Sequence, residues 1–188
     1  MKIESLEIPD LKLITPVVHR DKRGYFMESF NQKEIGTHIN IRNFVQDNES
    51  SSSFGVLRGL HFQQPPYAQA KLMRVIEGEV FDVAVDLRAD SLTLGKHVAV
   101  RLNDESKQLL YIPRGFAHGF IVISDKAVFT YKVDAYYHSE SERALDCNDK
   151  RLKIEWPLTE QEIQLSEKDR NGMPWEKLSF FEKSEWER

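Results

Sequence analysis

Cysteine is almost missing from this 188-residue chain, and its one instance, Cys147, excludes an intrachain disulfide and a cysteine-built zinc cage. A lone thiol suits a reducing compartment. Long apolar runs are missing too. Nothing approaches the roughly 18 consecutive apolar residues of a membrane span, and the opening MKIESLEIPD has no apolar signal region. A cytoplasmic protein with no membrane partner is therefore expected. Nor is there an excess of positive charge: the formal net charge is −4, which argues against a nucleic-acid partner or an anionic membrane surface. A small anionic ligand needs only a few well-placed arginines and lysines. Repeats and low-complexity linkers are absent, and the length suffices for one real core. A single domain over 1–188 is expected.

What is present is a succession of short apolar segments, at 11–18, 25–30, 43–48, 56–62, 71–77, 80–87, 97–102, 108–112, 118–123 and 127–133. The breaks between them, DKRG, SSS, PP, EGE, ND, PRG and SD, carry turn chemistry. In FDVAVDL, Phe81, Val83, Val85 and Leu87 alternate with Asp82, Ala84 and Asp86, the period of a half-buried antiparallel strand. Only 31–36 and 158–168 have a helical pattern. Short strands at this spacing predict an all-β jelly-roll barrel or sandwich over about 11–137. A more polar extension with short helices follows over about 140–188.

The stretch VLRGLHFQ, residues 56–63, breaks strand logic by placing Arg58 and His61 three apart in an apolar run. Residues two apart share a face, so the two should point to opposite sides. Either this is an edge strand with stray polar groups or it lines a wet cavity. Lys71 and Arg74 fall on opposite faces of their strand, so at most one points inward. His118 follows a Pro-Arg-Gly turn, and Tyr131, Tyr136 and Tyr137 stand near strand ends. Each has an ordinary reading: a hydrogen-bonded structural histidine, packed tyrosine rings, a solvated edge lysine, and for Asp169 a turn residue. Spacing alone gives candidates without a mechanism. A jelly-roll metal site of the His-x-His type is half matched by PRGFAH, but Gln63 stands two residues after His61 and no second histidine is near. No metal is expected.

Longer motifs go further. RDKRGYFMESFN, FVQDNESSSSFGVLRGLHFQ, AQAKLMRVIEGEVFDVAVDLR, YIPRGFAHGF, YKVDAYY and LSEKD, in that order over roughly 1–170, resemble the dTDP-4-dehydrorhamnose 3,5-epimerases, cupin-like isomerases of dTDP-L-rhamnose biosynthesis. The resemblance implies a metal-free, cofactor-independent homodimer with exchanged N-terminal strands. It implies His61 as base, Asp169 as the carboxylate that orients it, Lys71 as enolate stabiliser and Tyr131 as proton donor. Tyr137 matches a ring that stacks on thymine, and Arg58, His118, Glu142 and Lys168 match groups around the substrate. Arg23, Glu28, Gln46 and Asn48 match a segment that reaches across the dimer to the nucleotide. The chain departs from the family at Cys147-Asn148-Asp149-Lys150, where Trp-Asn-Asp-Pro is usual, at Ser139, where proline is common, and at Ser91-Leu92-Thr93-Leu94 in place of Ser-Pro-Thr-Phe. The first departure removes a large apolar side chain expected behind Tyr137.

The implied substrate is dTDP-4-dehydro-6-deoxy-D-glucose. Its C4 ketone acidifies C3 and C5 together, so one site can invert both centres. Histidine starts near the right pKa for the base, a carboxylate fixes its tautomer, and a lysine stabilises the developing oxyanion. A tyrosine returns the proton from the opposite face. Arg58 suits a diphosphate oxygen, and bringing it to the same side as His61 requires a twist or bulge at Gly59. The rivals are a single-centre epimerase with the same residues, a metal-dependent cupin oxygenase or isomerase, and a non-catalytic sugar-nucleotide binding module.

Overall fold

The structure is a computed structural model and describes residues 1–186. Its strands are β1 (Lys2–Ser5), β2 (Lys12–Thr15), β3 (Val18–Asp21), β4 (Gly24–Met27), β5 (Gln46–Ser53), β6 (Val56–Gln63) and β7 (Lys71–Glu77). They continue as β8 (Glu79–Asp86), β9 (His97–Asn103), β10 (Leu109–Ile112), β11 (Phe116–Val122), β12 (Lys126–Val133), β13 (Glu142–Ala144) and β14 (Gln164–Leu165). The helices are short: α1 (Gln32–Gly36), α2 (Glu167–Arg170) and α3 (Lys183–Trp186). Among the described residues no helix is long and apolar enough to cross a membrane.

Two sheets face each other as a cupin-like jelly roll. One has the order β1-β2-β10-β7-β12-β5; the other runs β13-β6-β11-β8-β9, with β14 added in parallel on β6. The inner faces enclose a core that includes Met73, Val75, Val80, Ala84, Leu102, Phe120 and Phe129. Each outer face is also covered. Ile35 and Ile39, from α1 and the segment after it, seal Ile14, Leu72 and Leu109 of the first sheet. Leu145, Leu152 and Phe181, from the C-terminal segment, seal Leu57, Val83, Val85 and Ile121 of the second. Each such buried side chain contributes ~1.5–3 kcal/mol.

This double covering corrects the sequence reading of β8. The strand is buried on both faces: its apolar row packs outward under the C-terminal segment, and Asp82 and Ala84 point into the barrel. Three other expectations need correction. Ser51–Ser53 read as a break but belong to β5, which among the described residues is an edge strand paired with β12 alone. Its inward residues Asn48 and Ser50 face a polar cavity, so the strand needs no apolar row. The expected helix over 158–168 shrinks to α2, because Gln164 and Leu165 pair with Val56 and Leu57 instead. The sheets also reach beyond 11–137, taking in β1 at one end and β13 and β14 at the other.

The irregularity anticipated at Gly59 is present. His118 of β11 lies opposite His61, and Phe120 lies opposite Arg58, so three steps along β6 match two along β11. The extra residue puts Arg58 and His61 on one side. Gly59 has φ +133°, and a Cβ built there would lie 2.5 Å from Gly119 Cα and 2.9 Å from the His118 carbonyl oxygen. Both the dihedral and the close strand contact demand glycine. Gly59→Ala should therefore cost at least ~2 kcal/mol of stability, read as a lower urea midpoint at unchanged slope.

Candidate active site

Strand β6 brings Arg58 and His61 to the wall of a cavity of about 460 Å³, which opens between the two sheets. Lys71 from β7, His118 and Phe120 from β11, Phe129 and Tyr131 from β12, and Asn48 and Ser50 from β5 share this cavity. Tyr137, from the connection beyond β12, and Glu142, the first residue of β13, stand at its rim.

The contact that organises the wall joins residues 108 apart: His61 Nε2 lies 2.5 Å from Asp169 Oδ1. Asp169 sits in α2, which starts where Ser166 Oγ accepts the Asp169 backbone N–H at 3.1 Å. The Ser166 hydroxyl also donates to Asp169 Oδ2 at 2.6 Å, so one residue caps the helix and holds the carboxylate. The Gly59 N–H completes the set at 3.4 Å. Burial alone would raise the carboxyl pKa, but the bonds from His61 and Ser166 outweigh it and hold Asp169 below its ordinary value. The aspartate stays ionised and fixes the ring orientation of His61.

A second buried pair stands beside the first. His118 Nε2 lies 3.0 Å from both carboxylate oxygens of Asp82, deep inside the barrel. Burial lowers the His118 pKa despite that carboxylate, so a neutral imidazole donates from Nε2 and turns its other nitrogen away from Asp82. Lys71 is buried as well, with Nζ 3.4 Å from the His61 carbonyl oxygen. Burial lowers its pKa to about 8, with Asp82 and Glu142 pulling the other way. Arg74 is not on the cavity wall, so of the two cations Lys71 is the inward one. Burial, then the Glu142 charge, raises the Tyr131 phenol pKa and keeps it protonated at neutral pH.

At the rim, Glu142 accepts from the Tyr137 hydroxyl at 2.7 Å and from Lys168 Nζ at 2.5 Å. Burial would raise its pKa, but these bonds keep it lowered. The Tyr137 N–H donates to Gln46 Oε1 at 3.1 Å, and Gln46 Nε2 donates to Asn48 Oδ1 at 2.9 Å. Asn48 therefore lines this chain's own cavity, and Gln46 is hydrogen-bonded to it at the edge. Arg23 and Glu28 are not brought to the cavity. Arg23 pairs with Asp21 at 2.6 Å on the β3–β4 hairpin, and Glu28 accepts from Asn31 at 2.9 Å. The departure at Cys147 does not touch Tyr137 either. Cys147 is buried in the outer core, and its carbonyl accepts from Trp156 Nε1 at 3.0 Å.

Sequence reasoning passed over Asp82, Ser166 and Ser52, whose hydroxyl accepts from Arg58 Nε at 3.0 Å. Two of them carried a signal. Asp82 and Asp86 interrupt the core strand β8 on one face, and Ser166-Glu167-Lys168-Asp169 has the spacing of a capping box. No group of three or more His, Cys, Asp or Glu side chains placed to hold a metal ion occurs among the described residues.

Comparison with known proteins identifies the family. Residues 5–177 match the family model described as dTDP-4-dehydrorhamnose 3,5-epimerase. The chain is 50% identical over 182 residues to the dTDP-4-dehydrorhamnose 3,5-epimerase of Shigella flexneri, covering 96% of this chain and 99% of that protein. Among solved structures it is similar to the same enzyme from Elizabethkingia anophelis, with a TM-score of 0.90, 48% identity, and 94% and 97% of the two chains covered. It is also similar to the dTDP-6-deoxy-D-glucose-3,5-epimerase of Legionella pneumophila in complex with dTDP-4-keto-L-rhamnose, with a TM-score of 0.86, 50% identity and 89% of each chain covered.

The electrostatics of the cavity can be tested directly. Lys71 should titrate near pH 8 rather than at its ordinary 10.5, read from the ¹³Cε shift of labelled lysine. Asp82→Asn removes a charge that favours the ammonium form, so the midpoint should move to lower pH. A midpoint that stays put would show that Asp82 does not act on Lys71.

Proposed function

The chain belongs to the dTDP-4-dehydrorhamnose 3,5-epimerase family, and we propose that it inverts C3 and C5 of dTDP-4-dehydro-6-deoxy-D-glucose by proton transfer through an enolate. The observation that carries this reading is the meeting of the His61–Asp169 pair, Lys71 and Tyr131 around one cavity. His61 takes the proton from the carbon next to the ketone. Asp169, ionised and hydrogen-bonded to Nε2, stabilises the imidazolium that forms. Negative charge moves to the C4 oxygen, and the Lys71 ammonium stabilises it more as the charge develops. Tyr131, protonated at neutral pH and on a different strand from His61, returns a proton to the opposite face of the carbon. The ketone of the substrate takes up the electrons, so these steps draw on side chains alone.

Binding groups follow from the same map. Arg58, with Nε held by Ser52, presents its terminal nitrogens to the diphosphate. Tyr137, about half exposed at the rim, offers its ring to thymine. Gln46, Asn48, His118, Glu142 and Lys168 shape the space between. Arg23 and Glu28 complete the site of a second copy. Among the described residues the β3–β4 hairpin that carries Arg23 pairs with no other strand, and it exposes Tyr25 and Phe26, Phe26 by 72%. A homodimer with exchanged N-terminal segments covers these rings and supplies the missing cation to each cavity. A cytoplasmic setting fits the lone, buried thiol of Cys147.

NMR of the substrate in D₂O separates the steps. His61→Ala should lose deuterium incorporation at both carbons, by ~10²–10⁴ in rate. Tyr131→Phe should keep incorporation and lose inversion by at least about tenfold, because His61 can return a proton to the face it came from. Loss of both together would remove Tyr131 from the acid role. Deuterium at one carbon alone in the wild type would make the protein a single-centre epimerase. The rate should also fall as pH rises through about 8, where Lys71 loses its charge.

The shared site is checked by mixing. Arg23→Ala and His61→Ala, each poorly active alone, should recover activity when co-refolded, since a hybrid dimer holds one intact site. No recovery, or a fully active monomer in sedimentation, would place Arg23 outside the site.

A further inference from the structure

Gln63 stands where a His-x-His metal pair would have its second histidine, and the structure gives it another use. It ends β6, two residues after His61, and is 4% exposed. Its amide is taken up by backbone. Nε2 donates to the Tyr67 carbonyl oxygen at 2.7 Å and to the Tyr136 carbonyl oxygen at 3.4 Å, and Oε1 accepts the His138 N–H at 2.7 Å. Both hydrogens on Nε2 are then committed, so this side chain has no donor to spare for a ligand.

Two of its partners flank Tyr137. After Val133 the chain leaves β12, passes the cavity rim and rejoins β6 at Glu142, whose register partner is Gln63 itself. Over this passage glutamine side chains take the place of a strand ladder. Gln69 Nε2 donates to the Ala135 carbonyl oxygen at 2.7 Å, Gln46 Oε1 accepts the Tyr137 N–H at 3.1 Å, and Gln63 holds a group on either side. An amide suits this task because it offers donors and an acceptor together. A carboxylate would repel the two carbonyls, and an ammonium could not accept from His138. His138 is pinned a second time, its ring stacked on Tyr67 with centroids 3.7 Å apart. The Tyr137 ring itself is about half exposed and is tethered at its hydroxyl by Glu142. Its direction is set by the backbone, and that backbone by Gln63.

We propose that Gln63 is a positioning residue: its amide fixes the backbone on both sides of Tyr137, so that the ring stands ready for the nucleotide base at a set reach from His61 on the same strand. The proposal rests on the nucleotide-sugar reading of the site, in which Tyr137 offers its ring to thymine. A ring ordered in advance costs the ligand less to engage than one that must be ordered on binding. Gln63 therefore acts on nucleotide affinity through Tyr137. It acts little on the chemical step, since His61, Lys71 and Tyr131 are carried by strands and not by this connection.

A double-mutant cycle tests it, read by calorimetry with thymidine and dTDP as probes. Gln63→Ala should raise both Kd values about tenfold, within what one stacked base contributes. Tyr137→Ala should raise them at least as much. The double variant should match Tyr137→Ala within about twofold, because Gln63 acts through a ring that is already gone. Turnover by Gln63→Ala should show a raised KM with kcat within about threefold. Gln63→Met, which keeps the length of the side chain without its amide, should repeat these results and serves if the alanine variant does not fold. Losses that add in the double variant, unchanged affinity in the Gln63 variants, or a kcat that falls as far as KM rises would each overturn the proposal. Wild-type affinity in Tyr137→Ala would overturn the stacking assignment itself, and this proposal with it.

Discussion

One added residue in strand β6 decides where everything else must go. Pairing β6 regularly with β11 would turn Arg58 and His61 to opposite sides of the sheet. The irregularity at Gly59, pressed against the Gly119 backbone, turns both toward the cavity. It also aims the Gly59 N–H at Asp169. The same backbone feature thus selects the cation, places the imidazole and helps to fix the carboxylate behind it. An alanine on either strand would push the two apart, since a Cβ on Gly119 would lie 2.8 Å from the Arg58 carbonyl oxygen.

The rest of the site is an exercise in keeping charge inside a barrel. Burying Lys71, Asp82 and Asp169 costs desolvation, which is compensated locally for the two aspartates and only in part for the lysine. Asp169 takes hydrogen bonds from two side chains and one backbone group. Asp82 takes the His118 ring N–H and lies close enough to Lys71 to act on its charge. Among the described residues Lys71 makes a long contact to a carbonyl oxygen, and of these groups it is the one whose charge is lost nearest neutrality, as suits the oxyanion stabiliser proposed for it. At the rim, Glu142 is tied to Tyr137 and Lys168, so its charge is matched before any ligand arrives.

The all-β class, most strand positions and α1 were legible because alternation, turn residues and an asparagine cap are local signals. His61, Lys71 and Tyr131 could be named from the family resemblance, yet nothing in their spacing shows that one cavity collects them. The residues of the wall come from β5, β6, β7, β11 and β12, and such pairings are set by tertiary contacts. Two misreadings share a cause. The aspartates of β8 looked solvent-facing, and the serines of β5 looked like a turn. Polar residues that face an internal cavity carry the same pattern as polar residues that face water. The short helix over 158–168 failed for another reason: strand pairing with β6 overrode a weak local preference. Asp169 read as a turn residue and is one, since it sits in the first turn of α2; what its sequence context hides is the histidine 108 positions earlier.

That separation has a consequence for how the protein comes into being. A polypeptide made from its N-terminus presents the β6 histidine long before the segment that holds its partner has been made. Until β14 lies down along β6 and Ser166 starts α2, the imidazole has neither its fixed tautomer nor its negative neighbour. The outer apolar face of the second sheet is bare over the same interval, because Leu145, Leu152 and Phe181 arrive with that segment. Burial of that face and arming of the proposed base are therefore one event, so a nascent chain stays chemically silent until its fold is sealed.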